Sequence, residues 1–379
     1  MSLKHKVGII GGGIVGSTAA FYLSQEPTID VTLFDDGTGQ ASSAAAGIIS
    51  PWLSQRRNKE WYFLAKEGAK FYTRYMSDLS DFLDTTKIYH KTGTLLYKKT
   101  PKLLDKLESM AHKRLVDAPE IGDISHLSDK EINQLYPFIT STDDALFITG
   151  GAKIDGEQLI NGIHSILKES DQLIKTSVSK IEYMNHQWNV HTKHDILMFD
   201  SLILSVGAWL PQLLEPLHYH VDIRPQKGQL IEVQSNLSTA DLPVIMPVGE
   251  SDIIPFYDGN ILIGATHEND EGFDLTPDYT QLEHLKLVAS DTINSLVELP
   301  ITRHRVGTRA YTSDFLPFFG EVKGLKNLWV ASGLGSSGLT TGPIIGKTLV
   351  DWLLKKETNF DRYKAQPNHY IKPITWEEL

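Results

Sequence analysis

The sequence contains no cysteine in its 379 residues. This absence excludes disulfides, thiolate metal ligands, iron–sulfur clusters and a cysteine nucleophile. We predict no metal site.

Long apolar runs and an excess of basic residues are also missing. No apolar stretch reaches the roughly 18 residues that a membrane helix needs, and the N-terminus leads directly into glycines instead of an apolar signal segment. The formal net charge is −11, which argues against a phosphate-backbone partner. We therefore expect a cytoplasmic protein without a membrane span and without a nucleic-acid partner.

The first 35 residues follow a strand, glycine turn, helix, strand pattern. Between the strands "KVGII" and "VTLFD", the residues Gly11, Gly13 and Gly16 form G-x-G-x-x-G. Each glycine has a physical reason. The first allows a tight turn, the second lets a pyrophosphate approach the backbone, and the third lets helix and strand pack closely. Asp35 ends the second strand, where it can accept hydrogen bonds from a ribose. The pattern predicts a dinucleotide site and disfavours a 2′-phosphate.

Further along the chain, helical and strand patterns alternate without repeats or a Pro-rich linker. Strand patterns dominate residues 221–266 and favour an antiparallel sheet, whereas the C-terminal part returns to strand, glycine turn and helix. This order predicts a doubly wound domain assembled from separated segments, with a sheet domain inserted between them. The predicted domains are 1–85, 151–216 and 303–379 for the cofactor, and 86–150 and 217–302 for the substrate.

Three segments bear on whether the dinucleotide is FAD or NAD. "SSAAAGII" (42–49) has small residues that let backbone lie close to a flat ring system, and "SVGAW" (205–209) ends a strand with a glycine. "LGSSGLTTGP" (334–343) is a second glycine turn before a helix, whose N-terminus would stabilise the negative charge of a reduced flavin. NAD enzymes have no need of this second turn. An NAD-dependent dehydrogenase remains the alternative at this point, and Trp209 alone is more typical of a core residue.

Together with "GTRAYTSDFLPFFG" (307–320), these segments occur in order across nearly the whole chain and resemble the D-amino acid oxidase superfamily of FAD enzymes, in particular its glycine oxidase and D-amino acid dehydrogenase branches. The resemblance implies an α/β (α+β overall) fold, with an FAD-binding Rossmann-like doubly wound domain and a mostly antiparallel-sheet substrate domain. It also implies the isoalloxazine ring at their junction and an amino acid that gives a hydride from its α-carbon to flavin N5, so that an imine forms and hydrolyses. Since there is no cysteine, we expect non-covalent FAD.

The predicted cofactor-binding residues come from the glycine turns, the acidic strand end, the small-residue segment and the strand ends. They are Gly11, Gly13, Ile14, Val15, Gly16, Asp35, Asp36, Ser42, Ser43, Ala46, Gly47, Ile48, Val178, Gly207, Trp209, Gly335, Ser336, Ser337, Gly338, Leu339 and Thr340.

Arg309 is the predicted substrate-binding residue. It stands among glycine, aromatic and proline residues, where a buried guanidinium needs an anionic partner. A guanidinium can hold a carboxylate through two parallel hydrogen bonds, which orients the substrate as well as binding it. The motif match carries this role to Arg309. The alternative is an ion pair with Asp314, and Arg303 and Arg305 are expected on the surface or in support.

Tyr257 and Tyr311 are predicted to contact the substrate, and His267 is a weaker candidate. The resemblance implies no side-chain base if the amine binds in its neutral form. We read "RPQKGQ" (224–229) and "GATHENDEGFD" (264–274) as mainly structural landmarks.

The chain departs from its relatives at three positions. Phe256 stands where they commonly carry arginine, Ser336 lies near the place of an arginine in glycine oxidases, and Leu262 replaces the oxygen-activating lysine of sarcosine oxidases. The electron acceptor, oxygen or another, is therefore open. A second copy of the chain is also a candidate partner, and an FAD-bearing RNA-modification module is the remaining alternative, which the acidic charge disfavours.

Overall fold

The computed structural model describes residues 4–249 and 251–374. The α-helices in these ranges are α1 (Ile14–Ser24), α2 (Lys59–Leu79), α3 (Pro101–Leu115), α4 (Asp129–Leu135), α5 (Gly156–Glu169), α6 (Leu210–Leu214), α7 (Tyr279–Ser290), α8 (Gly338–Leu353) and α9 (Pro367–Tyr370). None of the helices in the described ranges combines the length and the apolar composition that a membrane span requires.

The strands are β1 (His5–Ile10), β2 (Ile29–Phe34), β3 (Ile48–Ile49), β4 (Tyr89–His90), β5 (Thr94–Tyr97), β6 (Ile124–Leu127), β7 (Ala145–Ile148), β8 (Ala152–Ile154), β9 (Leu173–Ile174), β10 (Val178–Met184), β11 (Gln187–Thr192), β12 (Ile196–Phe199), β13 (Ser201–Leu204), β14 (Tyr219–Val221), β15 (Arg224–Gln234), β16 (Val244–Met246), β17 (Asp252–Pro255), β18 (Asn260–Gly264), β19 (Ile301–Tyr311), β20 (Phe318–Glu321), β21 (Leu328–Ser332) and β22 (Ile371–Pro373).

The chain divides into two compact units. The first unit consists of Met1–Ser43, Glu157–Gln226 and Thr308–Leu379, and the second of Ala44–Gly156 and Lys227–Gly307. Strands β15 and β19 each begin in one unit and end in the other.

The first unit is built on a six-stranded sheet in the order β20-β21-β13-β1-β2-β9. Its neighbours pair in parallel except for β20, which pairs antiparallel with β21. Strand β1 is buried from Val7 onward because helices must cover both faces of a parallel sheet. The order, with β1 beside both β2 and β13, is that of a doubly wound dinucleotide fold. The predicted fold class is confirmed in this unit.

The second unit is built on an eight-stranded sheet in the order β19-β15-β18-β17-β16-β5-β7-β6. Most of its pairings, such as β15 with β18 and β5 with β7, are antiparallel, and β16 with β5 is parallel. One apolar core packs on this sheet, with Leu95, Ile231, Ile253 and Ile263 fully buried or nearly so. The predicted mostly antiparallel sheet is therefore present.

The compact units differ from the predicted domains chiefly at residues 44–85, which belong to the second unit. Strand β3 pairs with β8 through Ile48–Lys153 and Ile49–Ala152, and β4 pairs with the same strand. The β3–β8 pairing joins residues about a hundred positions apart, so the local pattern after the glycine turn could not reveal it. The assignment of cofactor and substrate to particular domains stays a prediction.

Candidate functional site

The first glycine turn lies between β1 and α1. Gly11 has φ +98°, in the region that favours glycine, and a Cβ there would lie 2.6 Å from the Ser205 carbonyl oxygen. A Cβ at Gly16 would lie 2.0 Å from the Gly11 carbonyl oxygen. At Gly13 the nearest atom would be the Ser42 hydroxyl, at 3.3 Å. Gly11 and Gly16 thus serve close packing against backbone, whereas a side chain at Gly13 would crowd the Ser42 hydroxyl.

The Ser42 hydroxyl lies at the N-terminus of α1, where its oxygen accepts a hydrogen bond from the Ile14 N–H at 2.9 Å. The N-cap residue, Gly13, has no side chain to do this. Free N–H groups at this helix end attract negative charge. Ile14 and Val15 form the buried first turn of the helix, and the residues present fit the phosphates of a dinucleotide.

Asp35 and a histidine support the turn from within the first unit. The Asp35 carboxylate accepts a hydrogen bond from the Gly12 N–H at 3.0 Å. His164 Nε2 lies 3.0 Å from the Gly12 carbonyl oxygen and 3.0 Å from the Ser17 hydroxyl. Burial lowers the pKa of His164, while Asp35 acts in the opposite sense. His164 was missed in the sequence because it lies on α5, far along the chain and without a local motif.

Helix α8 packs directly against α1. A Cβ at Gly342 would lie 2.4 Å from an Ile14 side-chain carbon, and one at Gly346 would lie 2.6 Å from the Val15 carbonyl oxygen. The contacts advance in the same direction along both helices, so α1 and α8 begin at the same end of the first unit. The two glycine turns that the sequence singled out are therefore brought together, with both helix N-termini beside each other.

The C-terminal glycine turn is fixed to strand β19 through Tyr311. The Ser336 N–H donates a hydrogen bond to the Tyr311 hydroxyl at 3.0 Å. Gly335 has φ +54°, and a Cβ there would lie 2.1 Å from the Tyr311 ring. Tyr311 is buried, so it holds the turn in place instead of lying free beside it.

The remaining predicted residues of this turn lead into α8. Ser337 donates its hydroxyl to the Leu334 carbonyl oxygen at 2.8 Å, and Gly338 is the first residue of the helix. Leu339 and Thr340 are buried in the first helical turn. The N-terminus of α8 is thus formed by small residues, as the flavin hypothesis expected.

Other predicted residues of the first unit lie outside the two glycine turns. Gly207, with φ +55°, follows β13, and its carbonyl oxygen accepts a hydrogen bond from Ser332 at 2.8 Å. The Trp209 ring packs against Gly39. Asp36 is exposed and accepts a hydrogen bond from the Thr38 N–H at 2.9 Å, Ser43 is half-buried, and Val178 begins β10. Their roles stay predictions.

Arg309 is half-buried near the end of β19. Its guanidinium Nη1 donates a hydrogen bond to the side-chain oxygen of Gln226 at 3.0 Å, and Gln226 is only 5% exposed. The carboxylate of Asp314 accepts instead from Thr312, from the Leu316 N–H and from Tyr370. The alternative of an Arg309–Asp314 pair is therefore not what the structure has. Gln226 belongs to "RPQKGQ", the segment that was interpreted as mainly structural.

The side chains in the second half of that segment contact the other predicted landmark. Lys227, 2% exposed, lies 3.3 Å from the Asp274 carboxylate and 4.0 Å from that of Glu268. The Gln229 amide donates to Glu268 at 2.7 Å. These contacts join the two predicted landmarks within the second unit.

Arg303 and Arg305 differ in solvent exposure. The side chain of Arg303 is 50% exposed, as expected, and lies 3.6 Å from Glu232. Arg305 is not a surface residue: it is 7% exposed and its Nε donates to Glu232 at 2.5 Å. Of the two positions expected for Arg305, the surface one does not apply, because β19 runs along the sheet beside β15, which presents Glu232. A supporting role for Arg305 stays a prediction.

Five of the candidate residues lie in the second unit. The Gly47 carbonyl oxygen accepts a hydrogen bond from the Ile154 N–H at 2.8 Å, while Ala46 and Ile48 pack on an apolar cluster. The Tyr257 hydroxyl donates to the Thr86 carbonyl oxygen at 2.6 Å and lies 3.1 Å from His90 Nδ1. His267 is exposed.

Two of the departures from relatives have a packing explanation. Phe256 and Leu262 both belong to a buried cluster with Leu230, Val244 and Ile254. An arginine or lysine at either position would place a charge among apolar side chains, which costs several kcal/mol or more without a partner. The apolar residues therefore fit their surroundings.

Comparison with known proteins identifies the family. Residues 6–352 match the family of FAD dependent oxidoreductases abbreviated DAO, and the chain belongs to this family. It is an FAD-dependent oxidoreductase, which decides between FAD and NAD in favour of FAD. The resemblance stated from the motifs is thereby confirmed.

Relatives and solved structures match almost the full length. The chain is 35% identical to the uncharacterized oxidoreductase YurR of Bacillus subtilis, with 95% of this chain and 97% of that protein covered. It is 27% identical to a glycine oxidase of Pseudomonas putida, covering 95% and 97%. The crystal structure of iminodiacetate oxidase from Chelativorans sp. BNC1 superposes with a TM-score of 0.88 at 28% identity, covering 95% of this chain and 98% of that one.

Proposed function

We propose that this FAD-dependent enzyme oxidises a small amino acid, such as a D-amino acid, glycine or an N-substituted glycine, at the carbon–nitrogen bond beside its carboxylate. The observation that carries the proposal is Arg309. Its guanidinium is hydrogen-bonded to Gln226 and lies two residues before Tyr311, which binds the C-terminal glycine turn. Similarity to glycine oxidase and iminodiacetate oxidase supports a substrate of this class.

The reaction balances without a side-chain base. The substrate loses a hydride from its α-carbon and releases a proton from its nitrogen to solvent. Water then converts the resulting imine to a carbonyl acid and to ammonia or, for an N-substituted substrate, an amine. FAD, when bound, supplies the two-electron acceptor and is reoxidised by oxygen or another electron acceptor. The protein contributes mainly orientation of the substrate.

Each proposed residue has a limited task. Arg309 holds the substrate carboxylate through paired hydrogen bonds, and the Gln226 oxygen fixes the direction of the guanidinium. Tyr311 keeps the Gly335–Ser336 turn at a constant position. The adjacent N-termini of α1 and α8 offer partial positive charge to the phosphates and to the reduced flavin.

The proposal is tested by Arg309→Ala. We expect kcat/KM to fall by about 10²- to 10³-fold because the carboxylate loses its charged, oriented partner, while the visible spectrum still shows bound FAD. Arg303→Ala is the matched control, since it removes an exposed arginine from the same strand. Anaerobic bleaching of the flavin against D- and L-amino acids, glycine, sarcosine and proline identifies the substrate. Loss of FAD with unchanged turnover after reconstitution would contradict the role of Arg309.

A further inference from the structure

The peptide unit between Gly12 and Gly13 is held from one side by two side chains of the first unit. His164 Nε2 lies 3.0 Å from the Gly12 carbonyl oxygen, and the Ser17 hydroxyl donates a hydrogen bond to the same oxygen at 2.7 Å. Ser17 is fully buried on α1, whereas His164 is half-buried on α5. Side chains from two different helices thus converge on one carbonyl oxygen.

These contacts fix the position of the hydrogen on the histidine ring. A carbonyl oxygen only accepts hydrogen bonds, and the Ser17 hydrogen is already directed at Gly12. His164 Nε2 must therefore carry the hydrogen that bonds to Gly12. Burial lowers the pKa of His164, although Asp35 opposes this. The ring is therefore neutral at pH 7, with its hydrogen on Nε2.

Fixing the Gly12 carbonyl also fixes the amide of the next residue. A trans peptide is planar, so the C=O of one residue and the N–H of the next point in opposite directions. Because the Gly12 C=O points at His164 and Ser17, the Gly13 N–H points away from them. Gly13 is the N-cap residue of α1, and N–H groups at a helix N-terminus are the groups that bind phosphate.

The preceding peptide unit is held by Asp35, whose carboxylate accepts a hydrogen bond from the Gly12 N–H at 3.0 Å. A Cβ at Gly12 would lie 2.8 Å from the Asp35 side chain and 2.8 Å from His164 Nε2. The two side chains therefore close over the Cα of Gly12, which occupies a variable position of G-x-G-x-x-G. Rotation of either peptide unit would break at least one of these hydrogen bonds.

We propose that His164 is a positioning residue for the cofactor, which holds the peptide between Gly12 and Gly13 so that the Gly13 N–H faces the pyrophosphate of FAD. This inference goes beyond the proposed amino acid oxidation, and it rests on the predicted place of the pyrophosphate at the first glycine turn. An N–H that already faces the anion needs no rearrangement on binding, and such preorganisation raises affinity. Without His164, Ser17 alone opposes rotation of the peptide, and a rotated peptide directs its carbonyl oxygen at the phosphates.

The test measures the Kd of FAD from the flavin fluorescence that appears when the holoenzyme is diluted. We expect His164→Leu to raise this Kd by about 3- to 10-fold, since it removes one hydrogen bond to the turn. His164→Gln should stay within about twofold of wild type because its amide N–H can replace the ring N–H. His191→Leu is the matched control: His191 is a half-buried histidine of the same unit whose Nε2 lies 2.8 Å from the Glu182 carboxylate, and its loss should leave the Kd unchanged.

A further variant tests whether the two contacts act on one peptide. The double variant His164→Leu with Ser17→Ala should raise the Kd by more than the product of the two single effects, since either side chain alone still opposes rotation. With saturating FAD, kcat and KM of His164→Leu for an amine that bleaches the flavin should match wild type. A double variant no weaker than that product, or equal Kd values for wild type, His164→Leu and His164→Gln, would overturn the inference.

The wild-type holoenzyme provides a measurement that does not depend on the folding of His164→Leu. The ¹⁵N chemical shifts of the His164 ring, assigned by their absence in His164→Gln, should show the neutral form with its hydrogen on Nε2. A hydrogen on Nδ1 would overturn the inference, because Nε2 could then not donate to Gly12. Failure of every amine to bleach the flavin would overturn the proposed function alone, since the Kd of FAD is measured without a substrate.

Discussion

Arg305 and Arg309 lie four residues apart on β19, yet their surroundings differ. Arg305, in the second unit, is buried and donates to the carboxylate of Glu232 at 2.5 Å. Arg309, in the first unit, donates to the amide oxygen of Gln226 at 3.0 Å. A carboxylate neutralises a guanidinium, whereas an amide only orients it. The comparison teaches that one strand can place the same side chain against a carboxylate in one half and against an amide in the other, and we propose ligand binding only for the second.

The largest expected effect comes from giving Arg305 an amide partner. Glu232→Gln leaves a buried guanidinium without its counter-charge, so we expect the free energy of unfolding to fall by about 3 kcal/mol. In thermal unfolding this corresponds to roughly 6–12 °C. Because Glu232 belongs to the second unit, we expect kcat/KM of the folded enzyme to change little.

The double variant Arg305→Met with Glu232→Leu is the control. Since it removes both charges together, most of the stability should return. A Glu232→Gln protein as stable as wild type would show that Arg305 does not depend on the carboxylate, and the contrast between the two arginines would lose its basis.

The converse change, Gln226→Glu, gives Arg309 a carboxylate partner. We expect the new carboxylate to occupy the guanidinium and to repel the substrate carboxylate, lowering kcat/KM by about 10²-fold, mainly through KM. Thermal stability should be preserved or increased because a buried polar contact becomes an ion pair. Steady-state kinetics and thermal unfolding measure the two effects. Unchanged KM would count against Arg309 as the substrate-binding arginine.

A smaller effect concerns another charge of the second unit. Burial raises the pKa of the Asp252 carboxyl from 3.8 to about 7, and Lys98 opposes this. A group with a raised pKa stabilises the fold when protonated, so its contribution is complete below about pH 4 and is lost as the pH rises to about 7. We therefore expect the free energy of unfolding of Asp252→Asn to match that of wild type at pH 4 and to exceed it by about 1 kcal/mol at pH 8. The gain arises because asparagine cannot ionise, and it is limited because the attraction between Asp252 and Lys98 is lost.

Unfolding temperatures from pH 4 to 8 test this expectation. Asp81→Asn, at an exposed position of the same unit, is the matched control. Parallel curves of unfolding temperature against pH for wild type and Asp252→Asn would show that Asp252 is not buried as a charge. Charges in the second unit would then be paired less strictly than the Arg305–Glu232 ion pair suggests.

Much of the fold was predictable because its signals are local. The G-x-G-x-x-G turn requires three glycines within six residues, and Gly11 and Gly16 are in steric contact with backbone. The helix α2 has Asn58 as its N-cap, with hydrogen bonds to the Glu60 and Trp61 N–H groups, and its apolar residues repeat at helical spacing. Such features depend on neighbours in sequence and can be read without the rest of the chain.

The partners of the site residues were not predictable in this way. His164 contacts Gly12 across 152 positions, and Gln226 contacts Arg309 across 83. The chain reversal that places β15 beside β19 decides which side chain meets which arginine. The burial of Arg305 depends on the same pairing of distant strands.

By itself the sequence determined the glycine turn after β1, the absence of cysteine chemistry and the α/β class, because each depends on residue type and local spacing. Only the tertiary structure decided that the two glycine turns meet through the packing of α1 on α8, that Arg305 is matched by a carboxylate, and that Arg309 is matched by an amide. Those outcomes depend on distant segments approaching within a few ångströms, where the pairing of charges and hydrogen bonds is set by the strands and helices that carry them.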